Sequence, residues 1–165
     1  MGMAACFAAA DAATINQLKA DPGQIEEFLF PDDGDSEPPN CMDVDKAWHC
    51  IHFMLTGEAD EGPAPLSLAI LGGEEIGDDV GYGPARVLQP GQVRDIAVAL
   101  SRIDEPAFKA RFDPQAMLTA NIYLSEMCVR DGDDALDYLL EKYLALVEFY
   151  RAAADRDDGV ILWLC

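Results

Sequence analysis

Residues 43–57, Asp-Val-Asp-Lys-Ala-Trp-His-Cys-Ile-His-Phe-Met-Leu-Thr-Gly, leave a folding chain little freedom. The stretch starts on acid, ends on glycine and repeats apolar side chains at helical spacing in between. At about 100° per residue, Val44, Ala47, Trp48, Ile51, Met54 and Leu55 share one broad stripe. A helix with such a stripe must bury it against other elements. Asp43 suits the N-cap, Asp45 the first turn, and Gly57 the left-handed residue that ends a helix. Beside the stripe, Asp45, His49, His52 and Thr56 line up as a narrow polar strip. The expectation is a core helix, Trp48 inward, with any chemistry along its margin.

The remaining chain supplies partners for that helix. Met3 to Ala9 reads as a buried strand, followed by helices over 12–20 and from Pro22, with Ile15, Leu18, Ile25, Phe28 and Leu29 inward. Leu66 to Leu71 reads as a short helix, with a strand as the weaker alternative, and the glycines of 72–83 as turns leading into a strand from Ala85 to Leu88. A helix over 90–103 places Val93, Ile96, Ala97, Leu100 and Ile103 on one face. Short helices follow at 105–112 and from Pro114; Asn121 to Met127 reads as irregular or briefly extended. After Asp131-Gly132-Asp133-Asp134, an acidic cluster suited to the positive end of a helix dipole, comes the longest helix, to about Asp155. Val160-Ile161-Leu162-Trp163-Leu164 is the clearest strand. Being apolar on both faces it needs neighbours, and the N-terminal strand is the natural one. Together these describe an α+β fold in a single domain, residues 1–165: a small mixed β-sheet packed by several helices, including the central buried helix and a long C-terminal one.

Charge sets the range of partners. Against 31 acidic residues stand only 11 basic ones, a net charge of −20, while half the chain is hydrophobic. The chain is therefore a folded acidic domain, not a disordered acidic tail. Its field repels phosphate backbones and anionic lipid, which speaks against nucleic acid and membrane; it either favours a basic protein partner or simply keeps the protein soluble. Asp/Glu-rich loops at 31–37, 58–61 and 131–134 are the candidate contacts. No segment approaches the ~18 consecutive apolar residues of a membrane span, and Met1 to Phe7 lacks the basic start of a signal peptide. The five cysteines, at 6, 41, 50, 128 and 165, show no paired spacing and read as free thiols in a reducing, cytoplasmic setting.

Three stretches carry a family resemblance. They are Asp45-Lys46-Ala47-Trp48-His49-x-x-His52-Phe53-x-Leu55-Thr56-Gly57; Pro65-Leu66 through Leu71-Gly72-Gly73 with Ile76-Gly77-x-Asp79-x-Gly81-Tyr82-Gly83-Pro84-Ala85-Arg86; and Ala135 through Tyr150 with the strand that follows. Over nearly its whole length the chain resembles the YfbM-like family of bacterial domains of unknown function. The resemblance implies a small soluble bacterial α+β domain and carries over no catalytic residue. Gln89, where the family tends to have threonine, and Leu124, where proline is usual, depart from its pattern.

The residues themselves offer several site readings. His49 and His52, three apart on one helix, would meet one ion only with further ligands such as Asp45, Cys41 or Cys50, and His-x-x-His without an intervening glutamate is a weak zinc pattern. The expectation is no metal and no cofactor. A catalytic reading pairs His52 with Thr56, Cys41 or Ser67, with Asp45 four residues before His49 to orient a ring. Its pocket would include His49, His52, Tyr82 and Arg86, and a hydrolase is the enzyme alternative. Arg86, in so acidic a chain, is expected to pair with a carboxylate and lock its turn; otherwise Arg86, Tyr82 and His52 would converge on an anionic ligand. The candidate binding residues are His49, His52, Thr56, Tyr82 and Arg86, and the reading they serve is a non-enzymatic acidic binding protein.

Overall fold

The strand β5, Gly159–Leu164, lies at the middle of a five-stranded sheet of order β2-β1-β5-β4-β3. The other strands are β1 (Ala5–Ala10), β2 (Cys41–Asp43), β3 (Glu74–Asp79) and β4 (Pro84–Leu88). This computed structural model describes residues 2–32, 34 and 36–165. Side chains alternate across a strand, so β5 divides its apolar residues between two layers. Val160 and Leu162 join Ala5, Phe7, Ala9 and Leu88 in the larger core, while Ile161 and Trp163 join Ala8, Val87 and Ile76 in a smaller one. Burial on both faces is why Val-Ile-Leu-Trp-Leu carries no polar residue.

The smaller core is covered by α1 (Ala12–Ala20) and α2 (Ile25–Leu29), which contribute Ile15, Leu18, Ile25 and Leu29. Asp11 caps α1 by accepting the Thr14 N–H at 2.8 Å. Against the opposite face pack α3 (Trp48–Thr56), α4 (Leu68–Leu71), α5 (Pro90–Ser101), α6 (Glu105–Lys109), α7 (Pro114–Thr119), α8 (Ser125–Asp131) and α9 (Asp133–Asp155). Leu139, Tyr143, Leu146, Tyr150 and Ala153 of α9, three or four apart, form its buried stripe. Tyr143 stacks on Phe108 with ring centroids 4.0 Å apart, and Tyr150 meets Phe7 edge-on at 6.4 Å. Among the described residues no helix is long and apolar enough to cross a membrane.

The α+β fold, the sheet, the buried α3 and the long α9 are as the sequence indicates, and β1 does pair with β5. The sheet is not mixed, however: all four strand pairings are antiparallel. Asp43 does not cap α3. The Val44 N–H bonds the Ala5 carbonyl at 3.0 Å and the Asp45 N–H bonds Asp43 Oδ1 at 2.8 Å, so sheet and turn hold this backbone. A 3-10 turn, Asp45–Ala47, intervenes before α3. Gly57 ends α3 at φ 77°, its N–H on the Phe53 carbonyl at 2.7 Å. Asp45 turns from the polar strip and accepts the Tyr138 hydroxyl at 2.8 Å. The glycine-rich turn region contains β3, an exposed edge strand in which only Ile76 is buried. Instead of an irregular stretch, residues 125–131 form α8, entered from Leu124 at φ 65°.

The core assignment has a direct test. Ile51→Ala, at a fully buried site of α3, should cost about 2–5 kcal/mol in urea unfolding. Leu144→Ala, on the exposed side of α9, should stay within about 0.5 kcal/mol of the parent.

Candidate functional site

Three of the sequence-selected residues meet on one edge of α3, where each grips backbone. His49 Nδ1 accepts the Tyr123 N–H at 2.9 Å, which leaves its proton on Nε2, and Nε2–H donates to the Ala59 carbonyl at 2.8 Å. One turn on, His52 Nε2 lies 3.0 Å from the Glu61 carbonyl and must be the donor there. One further turn on, Thr56 Oγ1 donates to the His52 carbonyl at 2.9 Å and accepts the Glu58 N–H at 3.1 Å. Gly62 closes the loop against Thr56: a Cβ at Gly62 would fall 2.6 Å from Thr56 Cβ, and its φ is 128°. The helical spacing of 49, 52 and 56 thus becomes a row of anchors for residues 58–62.

The anchors are themselves fixed. The Trp48 indole stacks on His49, centroids 4.8 Å apart and planes 9° apart, and its Nε1–H bonds the Met3 carbonyl at 3.0 Å. Arg111 Nη1 donates to the Met54 and Leu55 carbonyls, each at 3.2 Å, placing a cation at the negative end of α3. His52 is fully buried, with no partner for Nδ1 among the described residues. Burial therefore holds its pKa below the ordinary 6.5, against the opposing pull of the Glu61 carbonyl. By contrast the side chains of Glu58, Asp60 and Glu61, in the loop so held, are exposed.

Tyr82 and Arg86 are in different surroundings. Tyr82 is 51% exposed at the β3–β4 turn, its N–H on the Leu164 carbonyl at 3.3 Å. Among the described residues Arg86 pairs with no carboxylate, contrary to expectation: Nη1 donates to the Gly72 carbonyl at 3.0 Å and Nη2 to that of Ile70 at 3.1 Å. With the Tyr150 hydroxyl on the Ala69 carbonyl at 2.5 Å, Arg86 satisfies the free carbonyls at the end of α4. The guanidinium fork suits two carbonyls at once, which explains why a helix end, not an acid, takes it. Cys41, once a candidate ligand or nucleophile, is on β2 and donates to Glu37 Oε2 at 3.3 Å. Among the described residues no group of three or more His, Cys, Asp and Glu is arranged to hold a metal ion.

What sequence spacing did not reveal is a pairing of thiols. Cys50 and Cys128 meet in the core, sulfurs 3.7 Å apart, and Cys6 and Cys165 meet at 3.1 Å near the sheet's β2 end. A half-open cavity of about 280 Å³ lies over the second pair, lined by Leu29, Phe30, Cys41 and Trp163 among others. Pairing β1 with β5 was the usable signal, since it sets Cys6 opposite Trp163.

The fold has counterparts in known proteins. A family model described as a domain of unknown function, DUF1877, matches residues 1–163. The chain belongs to the DUF1877 family. Protein YfbM of Escherichia coli (strain K12) is 37% identical to it over 84 residues, which is 48% of this chain. That alignment spans 48% of YfbM, about half the relative's length. The crystal structure of YfbM from Escherichia coli, a protein of unknown function, matches with a TM-score of 0.73 at 22% identity, covering 98% of this chain and 99% of that one. The DUF1877 fold is therefore common to both chains.

The buried His52 gives this family member a pH signature. The unfolded chain takes up a proton near pH 6.5 that the folded site refuses, so the stability from neutral His52 is complete above that pH and is lost as pH falls below it. His52→Gln keeps a donor for the Glu61 carbonyl without titrating. Urea midpoints from about pH 7.5 to 5.5 should fall more steeply for the parent than for H52Q; parallel curves would contradict the assignment.

Proposed function

We propose that this DUF1877 domain is a non-enzymatic acidic binding domain that docks a basic protein partner through residues 58–61. The observation that carries the reading is the clamp from α3. His49, His52 and Thr56 hold the loop by backbone atoms alone, at Ala59, Glu61 and Glu58, and leave the carboxylates of Glu58, Asp60 and Glu61 free for solvent or a partner. A loop fixed in advance loses less entropy when a partner arrives. The candidate binding residues on α3 act here as positioning groups, and the acids are the contacts.

Charge supports the same reading. Seven ion pairs among the described residues engage Lys19, Arg94, Lys109, Arg130, Arg151 and Arg156, while Arg86 and Arg111 are directed at backbone carbonyls. With 31 acids in the chain, most carboxylates have no cation of their own. A field of this sign speeds encounter with a basic surface, and the fixed loop adds orientation.

Neutralising charge at two places separates site from net charge. The triple variant E58Q/D60N/E61Q and the control E126Q/D137N/E141Q change total charge equally, and all six positions are exposed. Affinity for a Lys- and Arg-rich peptide, read by fluorescence anisotropy at low and high salt, should drop about tenfold for the loop variant and less than about twofold for the control. Equal losses would reduce the effect to bulk charge and overturn the assignment to 58–61.

A further inference from the structure

Cys6 and Cys165 are 159 positions apart in sequence, yet their sulfurs are 3.1 Å apart. That is only about 1 Å more than the ~2.05 Å of a disulfide bond. The sheet brings them together: Ala4 and Cys165 exchange both backbone hydrogen bonds, at 2.8 and 3.0 Å, and Cys6 is opposite Trp163. By the two-residue alternation of strands, Cys6, Trp163 and Cys165 stand on one face. The cavity of about 280 Å³ over that face has both cysteines in its wall, with Phe30, Trp163 and Leu29 as its apolar side. Trp163 is 5% exposed, and its indole Nε1–H has no partner among the described residues.

We propose that Cys6 and Cys165 are a dithiol site that reduces a small-molecule disulfide entering this cavity, and that the Cys6–Cys165 bond so formed staples β1 to the end of β5. Cys165 is exposed and Cys6 half-buried, which sets the order of attack. Cys165 gives its proton to solvent, and its thiolate attacks one sulfur of the small disulfide. That S–S bond breaks, one small thiolate leaves and takes up a proton, and the other half stays on Cys165 as a mixed disulfide. Cys6 Sγ then attacks Cys165 Sγ, and the Cys6 proton passes to the second small thiol as it leaves. The two protein thiols are oxidised to one disulfide while one small disulfide is reduced to two thiols, so atoms and electrons balance. Burial, and then the hydrogen bond with Cys165, push the Cys6 thiol up, so it keeps its proton until Cys165 has reacted. The staple links strand neighbours across almost the whole chain, the arrangement that most restricts the unfolded state.

Oxidised glutathione is the probe, applied to the full chain with intact-mass and peptide-map readout. The parent should lose two hydrogens, retain no glutathione, and yield a Cys6–Cys165 crosslinked peptide, with Tm raised by roughly 5–10 °C and restored by a reductant. C6S should stop at a glutathione adduct on Cys165, and C165S should resist oxidation at Cys6. A stable glutathione adduct on the parent, a crosslink at Cys50–Cys128 instead, or an unchanged Tm would overturn the proposal. C165S, altered at an exposed position, keeps the test open should C6S fail to fold.

Discussion

The antiparallel pairing of β1 with β5 is the contact on which the other layers depend. It runs from Ala5 opposite Leu164 to Ala10 opposite Gly159 and brings together residues from the two ends of the chain. Only after that closure does β5 present Val160 and Leu162 to one layer and Ile161 and Trp163 to the other. The alanines of β1 suit this central position, because small side chains let α1 and α9 approach the sheet closely. Gly159 serves the same purpose: a Cβ there would fall 2.8 Å from both Ile15 Cγ1 and the Leu88 carbonyl. Side-chain size thus sets the layer spacing here as much as hydrophobicity does.

Long polar side chains are used mainly to finish helices and loops. Arg86 and Tyr150 complete α4, Arg111 completes α3, and Tyr143 donates to the Ile103 carbonyl at 2.7 Å beyond α5. Each is a long side chain meeting backbone carbonyls in or just beyond a helix's last turn. The histidines of α3 belong to the same pattern, except that their targets lie in an exposed acidic loop. The bonds that satisfy the polar groups of α3 therefore also fix the exposed loop at 58–62.

Much of the architecture was legible where periodicity was strong. The stripe from Val44 to Leu55, the stripe of α9 and the run at 160–164 each have one way to be buried. Legibility failed where a competing interaction decides the backbone. Asp43 has the chemistry of an N-cap, but the sheet takes the neighbouring Val44 N–H. Leu124 at φ 65° starts α8 in a conformation few leucines adopt and no proline can. For the candidate site, the shared flank of His49, His52 and Thr56 followed from helical geometry alone. Their targets at 59, 61 and 58 did not, because loop paths carry no period. Nor did the partners of Arg86: charge counting points to a carboxylate, whereas a fork-shaped donor beside a helix end finds two carbonyls. The thiol pairs were hidden for a simpler reason, since contacts spanning most of the chain leave no trace in local spacing.

The sheet's two borders have a bearing on life in a crowded solution. On one side β2 is only three residues long, and on the other β3 carries Glu74, Glu75, Asp78 and Asp79 outward, with a register break between Ile76 and Asp79. A second copy approaching either border would find too few free amides, or a kinked row of like charges. The fold thereby discourages lateral growth into ribbons, and its open-sided sheet stays finite without closing into a barrel.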